Sequence, residues 1–200
     1  MKRSWVITLA LVAGCARATT PPLDVSSRGD IGRIRTIVVM QAVADPEAAG
    51  DLPPEASVAV SHLVLQAAMK EAGWRLVPGE AVFAKLPAAK APEERAGALA
   101  KAVHADVAVT ATIARYRERV GSAYGATAGA SVSLQIFAVP AGGGEAQWRA
   151  RYAITQEPLA YNLWNLWGVL RGGPKWLTAD ELARIGVDEA VDRFAHAAAR

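Results

Sequence analysis

The sequence predicts an α/β protein with an α+β ordering, built on a mixed four- to five-stranded sheet that contains an antiparallel meander, with helices packed mainly on one face. Three observations carry this expectation. Thr36-Ile37-Val38-Val39-Met40 is short, β-branched and almost continuously apolar, the pattern of a strand buried on both faces. Residues 55–72 place apolar side chains at helical spacing and stop at Gly73, as helices commonly do. Three successive segments between residues 105 and 154 alternate apolar and polar side chains with a period of two, the spacing of half-buried strands.

Taken in order, residues 1–14 read as a secretory signal. Lys2 and Arg3 form a positive start, and Trp5 to Ala13 is apolar except for Thr8. That run falls short of the roughly 20 residues that span a bilayer. Val12-Ala13-Gly14-Cys15 resembles a bacterial lipobox, with Val12 where Leu is more usual. The resemblance implies that the chain is cut between Gly14 and Cys15, that the Cys15 thiol carries a diacylglycerol, and that the new amino terminus is acylated by a fatty acid such as palmitate. Ala16, where an Asp would favour retention, implies the outer membrane. Cys15 is the only cysteine, so no intramolecular disulfide competes for it. Acyl chains contribute about 0.8 kcal/mol per buried CH₂, and several together hold a protein on a membrane. Residues 15–33, rich in Thr, Pro, Ser and Gly, read as a flexible tether, and residues 34–198 as one globular domain.

Within that domain, residues 34–42 form the first strand and a Pro/Gly/Asp loop leads to the helix at 55–72. Val58, Leu65, Met69 and Ala72 are expected on its buried stripe, widened by Ala59, Leu63 and Val64. Residues 74–77 make a short strand closed by Pro78-Gly79. In the helix from Ala91 to His104, Pro92 suits the first turn and Glu93 and Glu94 complement the dipole. His104 is expected to be a capping or solvated side chain.

The meander follows. In residues 105–120 the odd positions run Val107, Val109, Ala111, Ile113, then Arg115, Arg117 and Arg119, so strict alternation puts apolar and basic side chains on one face. Residues 121–129 read as a small-residue loop around Tyr124. Residues 130–139 and 147–154 are the other two strands, joined by a hairpin at Gly142-Gly143-Gly144. Arg115, Arg117, Arg119, Arg149 and Arg151 are candidates for a basic face that meets an acidic polysaccharide, peptidoglycan or a protein. The competing reading is a solvated face paired with Glu118 and Glu145.

The stretch from Tyr161 to Leu177 is unusually rich in Trp. On a helix after Pro158, Leu159, Leu163, Leu166 and Leu170 form one stripe, with Trp164 and Trp167 beside it. Two readings stand for Tyr161, Trp164, Trp167 and Trp176: an interface with a subunit or bilayer, where amphipathic indoles are suited, or core. Thr178-Ala179-Asp180-Glu181 has the form of a capping box opening a last helix.

Composition narrows the functions. The chain has 22 Lys+Arg against 19 Asp+Glu, and Lys2 and Arg3 belong to the signal, so the basic balance is no nucleic-acid footprint. The triple Gly lacks the Lys-Ser/Thr end of a phosphate loop. No nucleophile elbow, zinc-helix motif or Cys pair is present. Ser61 and His62 are adjacent on a helix and point about 100° apart, so they do not form a nucleophile–base pair. No metal and no cofactor beyond the Cys15 lipid is expected, and no catalysis. With the lipobox, the order of elements and the stretch from Asp106 to Tyr116 resemble the lipoproteins that share the curli-secretion-channel and Pel-export fold, and the penicillin-binding-protein activators in architecture. That resemblance implies an outer-membrane, periplasm-facing lipoprotein that serves assembly or export through protein contacts or self-association. The alternative is a module for cell-wall glycan or a peptidoglycan synthase, using the arginine face.

Overall fold

The computed structural model describes residues 22–28, 31–86, 91–156 and 176–199. In chain order these form β1 (Leu23–Ser27), β2 (Thr36–Val39), β3 (Val43–Ala44), α1 (Ala56–Lys70), β4 (Arg75–Leu76), α2 (Glu80–Phe83), α3 (Pro92–Ala102), β5 (Val107–Arg117), β6 (Val120–Gly121), β7 (Ala126–Ala128), β8 (Ser131–Pro140), β9 (Trp148–Thr155) and α4 (Ala179–Ala198). Seven strands join in one mixed sheet, ordered β1-β9-β8-β5-β2-β4, with β3 also paired to β5. β2 pairs in parallel with β4 and β5, and β3 in parallel with β5, whereas β5, β8, β9 and β1 form the antiparallel part. The α/β class and the meander are as the sequence predicts, but the sheet is larger than four or five strands.

Two of the additional strands have clear causes. β1 falls in the residues expected to be tether. It pairs along the edge of β9, from Leu23 opposite Tyr152 to Ser27 opposite Trp148. Ladder bonds are made by the backbone, so a polar segment qualifies once an edge is open to it, and Leu23 and Val25 pack against the main core. The first predicted strand is split into β2 and β3. Across the break, the buried Thr110 hydroxyl donates to the Gln41 carbonyl at 3.2 Å, and the Ser61 hydroxyl accepts the Ala42 N–H at 2.8 Å. Ser61 also donates to the Ser57 carbonyl, so its side chain is committed to the backbone.

Helices cover both faces unequally. α1 and α4 lie side by side on one face, tied by Lys70–Asp188 at 2.9 Å and Arg184–Gln66 at 3.0 Å. Beneath them, Ile37, Val109, Ile113, Leu134, Ile136 and Trp148 form the larger core. Among the described residues, helix cover on the other face is confined to one end, where Leu99 of α3 packs with Val38, Met40, Phe137 and Val139. The expectation of helices mainly on one face therefore holds for the two long helices, and α3 adds a partial second layer.

α1 buries a different stripe from the one its hydrophobicity favours. Ala56, Val60, Leu63, Val64, Ala67 and Ala68 face the core, while Val58, Leu65 and Met69 are 49%, 37% and 68% exposed. The helix carries two apolar stripes, and the one with the small residues allows the closer approach to α4 and the sheet. The ends of the other helices follow sequence chemistry. Pro92 opens α3, and His104 closes it in the left-handed conformation at φ 55. The Ala105 N–H reaches back to the Ala100 carbonyl at 2.9 Å, which completes a Schellman-type cap. The capping box of α4 is present in both directions, Glu181 N–H to Thr178 Oγ1 at 3.0 Å and Thr178 N–H to Glu181 Oε2 at 2.9 Å.

Candidate interface at one end of the sheet

Arg117, Ser131 and Thr155 are register partners across β5, β8 and β9 and mark one end of the sheet. Three features converge there. The chain comes into the domain through Leu23, opposite Tyr152. Beyond β5, residues read as a loop form a second, two-stranded sheet, β6 with β7. Gly121, at φ 112, supplies the turn conformation, and a Cβ there would meet the Gly125 carbonyl. The hairpin leaves Val120 60% and Tyr124 85% exposed. Third, the two ends of the connection spanning 157–175 meet at this point, because Leu177 N–H donates to Gln156 Oε1 at 2.8 Å.

Trp176 is a fastening at this end. It is half-buried, its N–H donates to the Ala123 carbonyl at 2.7 Å, and its carbonyl accepts from Arg119 Nη1 at 2.9 Å. Its ring lies over Gly129, where a Cβ would stand 2.8 Å from Trp176 Cζ3. Glu118 Oε2 accepts the Ala179 N–H at the first turn of α4 at 2.9 Å, a favourable place for a carboxylate. The Tyr116 hydroxyl donates to Asp180 Oδ1 at 3.4 Å; burial, then the Asp180 charge and this bond, hold the phenol well above its usual range.

The basic face is only partly assembled. A register shift between Ile113 and Arg115 inserts a residue, as β-bulges do. Tyr116 therefore takes the core position that strict alternation would have given to its neighbours. Arg115 and Arg117 lie on the opposite face from Ile113, a correction to the alternation expected from the sequence. On that face, Gln135 stands beside Arg151, and Phe137 beside Arg149. Arg149 is spent on Glu93 at 3.0 Å and lies 5.9 Å from the Phe137 ring. Arg119 leaves the face for Trp176. Arg115, Arg117 and Arg151 remain on the part that α3 does not cover. Gly14, Cys15, Tyr161, Trp164 and Trp167 lie outside the described residues.

The sequence reading missed a second feature at the other end of the sheet. There Arg33, Arg35, Glu71, Trp74 and Arg75 line an open cleft of ≈ 1040 Å³, closed on one side by the last turn of α4. The period-two Arg33-Ile34-Arg35 and the pair Trp74-Arg75 were the available signals. Among the described residues, none of the three guanidinia has a salt bridge or side-chain hydrogen bond. Glu71 is pushed above the usual carboxylate range by burial and then by Asp192, with His196 opposing. No group of three or more metal-ligating side chains occurs among the described residues, and no helix among them is long and apolar enough to cross a membrane.

A mixed sheet with two long helices on one face and a partial second layer defines the structural class, and solved structures share it. The chain is similar to the PelC dodecamer from Paraburkholderia phytofirmans, with a TM-score of 0.50 and 13% identity over 84% of this chain and 93% of that one. It is similar to the hypothetical protein CT253 from Chlamydia trachomatis, with a TM-score of 0.52 and 13% identity over 84% and 99% of the two chains. The lipoprotein GNA1162 from Neisseria meningitidis aligns at a TM-score of 0.44 and 19% identity over 68% and 92%. The domain thus has the PelC-like fold that its order of elements resembled. No protein-family model and no curated protein matches the sequence.

Proposed function

We propose that this protein is an envelope lipoprotein, tethered through Cys15 on the periplasmic side of the outer membrane, that serves assembly or export through protein contacts and self-association rather than catalysis. The observation that carries this reading is the convergence at one sheet end of the incoming chain, the exposed Val120–Tyr124 hairpin, and both ends of the connection that contains Trp164 and Trp167. An amphipathic end beside the anchor suits a subunit or a lipid surface. The second exposed apolar stripe, Val58, Leu65 and Met69 on α1, supplies a lateral surface for a second copy. The fold shared with a dodecameric protein is consistent with that arrangement.

Light scattering on the chain from residue 16, with and without detergent, tests it. A discrete oligomer that Leu65→Glu with Met69→Glu dissolves supports the reading, and a monomer at every concentration removes self-association. Cys15→Ala should abolish palmitate incorporation and membrane retention, and retained label would remove the anchor. A second reading, contact with cell-wall glycan or a peptidoglycan synthase, rests on Arg115, Arg117 and Arg151 sharing the part of the sheet face that α3 does not cover. Arg117→Gln with Arg151→Gln would then weaken pull-down from envelope extracts.

A further inference from the structure

We infer that the cleft between the ends of α1 and α4, at the sheet end remote from Leu23, binds an acidic sugar: a carboxylate- or phosphate-bearing pyranose, alone or within a chain. This goes beyond the scaffold reading and does not depend on it. Three kinds of group meet in the cleft, and each asks something different of a ligand. Arg33, Arg35 and Arg75 present guanidinium forks with no protein partner among the described residues. Such forks match planar oxyanions bidentately. Trp74 is half-buried, its ring tilted at 48° on Phe194 with centroids 5.3 Å apart, and it lines the cleft as a fixed apolar platform. Glu71, just beyond α1, lines the cleft beside the last turn of α4 and adds a carboxylate acceptor.

Donors for an anion, a flat apolar face and acceptors for hydroxyl protons together describe a polyhydroxylated anion better than a bare one. An acidic peptide fits less well. Edge strand β4 spans only two residues, Arg75–Leu76, too short a ladder for strand addition. The volume, ≈ 1040 Å³, slightly exceeds that of small-molecule sites, about 300–1,000 Å³, and leaves room for more than one sugar ring. The helix dipoles and Glu71 oppose an anion, so the three arginines must outweigh them. Removing Glu71's charge should therefore tighten binding, an effect that a merely structural role for Glu71 would not produce.

The test uses the full chain in non-ionic detergent, titrated calorimetrically with oligogalacturonate, with malto-oligosaccharide and poly-glutamate as comparisons. The expected result is saturable binding of oligogalacturonate alone. Arg33→Gln with Arg75→Gln weakens it about tenfold or more, and Glu71→Gln strengthens it. Absence of saturable binding overturns the inference. Equal binding of poly-glutamate replaces the sugar by charge alone, and undiminished binding by the double variant places the ligand elsewhere on the chain. Circular dichroism melting of each variant separates lost binding from lost folding, and Arg35→Gln serves where the double variant melts early. Because the oligomer is read by light scattering on a different surface, failure here leaves the scaffold reading standing.

Discussion

Gly186 of α4 lies close against the Tyr152 ring of β9, and its replacement gives a sharp test of the packing. A Cβ on Gly186 would lie 2.5 Å from Cγ and 2.6 Å from Cε1 of Tyr152, about 1 Å inside the normal carbon–carbon separation of about 3.5–4.0 Å. Tyr152, on β9, is fully buried beneath α4, so its ring has little room to retreat. Among the described residues its hydroxyl has no hydrogen-bond partner, and burial drives the phenol pKa upward. By helix propensity alone, Gly186→Ala would stabilise α4 by about 1 kcal/mol. Overpacking costs about 1–3 kcal/mol, and with three ring atoms inside contact distance the upper end applies. The net expectation is a loss of about 2 kcal/mol, or about 4–8 °C in Tm for a domain of this size. Urea melts should show a lower midpoint with an unchanged slope. Gly186→Ala in a Tyr152→Leu background should lose this penalty and recover the propensity gain, a coupling that a double-mutant cycle measures. A single variant as stable as the parent, or a cycle with no coupling, would refute the close approach of α4 to β9.

Three further changes probe the same framework. His104→Gly should raise stability by about 1 kcal/mol in urea, because His104 holds a positive φ that costs a residue with a Cβ about that much; a loss would mean that the side chain contributes more than its backbone costs. Thr178→Ala removes one arm of the capping box and should lower stability by about 1 kcal/mol, readable as a drop in Tm. Glu71→Gln should raise Tm at pH 7. The folded state raises this carboxyl's pKa through burial and Asp192, against His196, so the ionised form destabilises the fold above the folded pKa. That penalty disappears as pH falls below the unfolded value, 4.5, where the two proteins should melt together. A gain that persists unchanged at pH 4 would contradict this sign.

The elements that the sequence announces are those whose signals are local and unopposed. Pro92 acts through its fixed φ, and the capping box at Thr178 and the glycine hairpin after Pro140 act through hydrogen bonds within a few residues. What escapes the sequence depends on partners far along the chain. β1 is a strand only because β9, more than a hundred residues later, leaves an edge open. The choice between the two apolar stripes of α1 is made by α4, whose close approach selects Ala67 and Ala68 over Leu65 and Met69. The bulge at Ile113–Arg115 moves Arg115 and Arg117 to the opposite face, and no residue type there signals the extra position. Arg119 is a candidate by its period-two position and Trp176 as an amphipathic indole in the Trp-rich stretch, and the structure joins them to each other. The cleft was hidden for the same reason. Arg33 and Arg35 lie on one short segment and Arg75 on another, and the β2–β4 pairing brings the two together.

α4 connects the two candidate sites. Its first turn is fixed at the hairpin end by Glu118, Thr178 and Trp176, and its last turn closes the arginine cleft. Its 20 residues rise about 1.5 Å each, which sets the two ends about 30 Å apart. Between Cys15 and Leu23 an extended chain reaches at most about 28 Å. A lipid on Cys15 would therefore keep Leu23 within about 28 Å of the membrane surface. A perturbation confined to one end should leave the other unaffected, since effects separated by more than about 10 Å with no shared partner add. Gly186→Ala is the exception by construction. It displaces the helix that both ends share, so it should weaken the fastening of Trp176 and the sugar affinity of the cleft together.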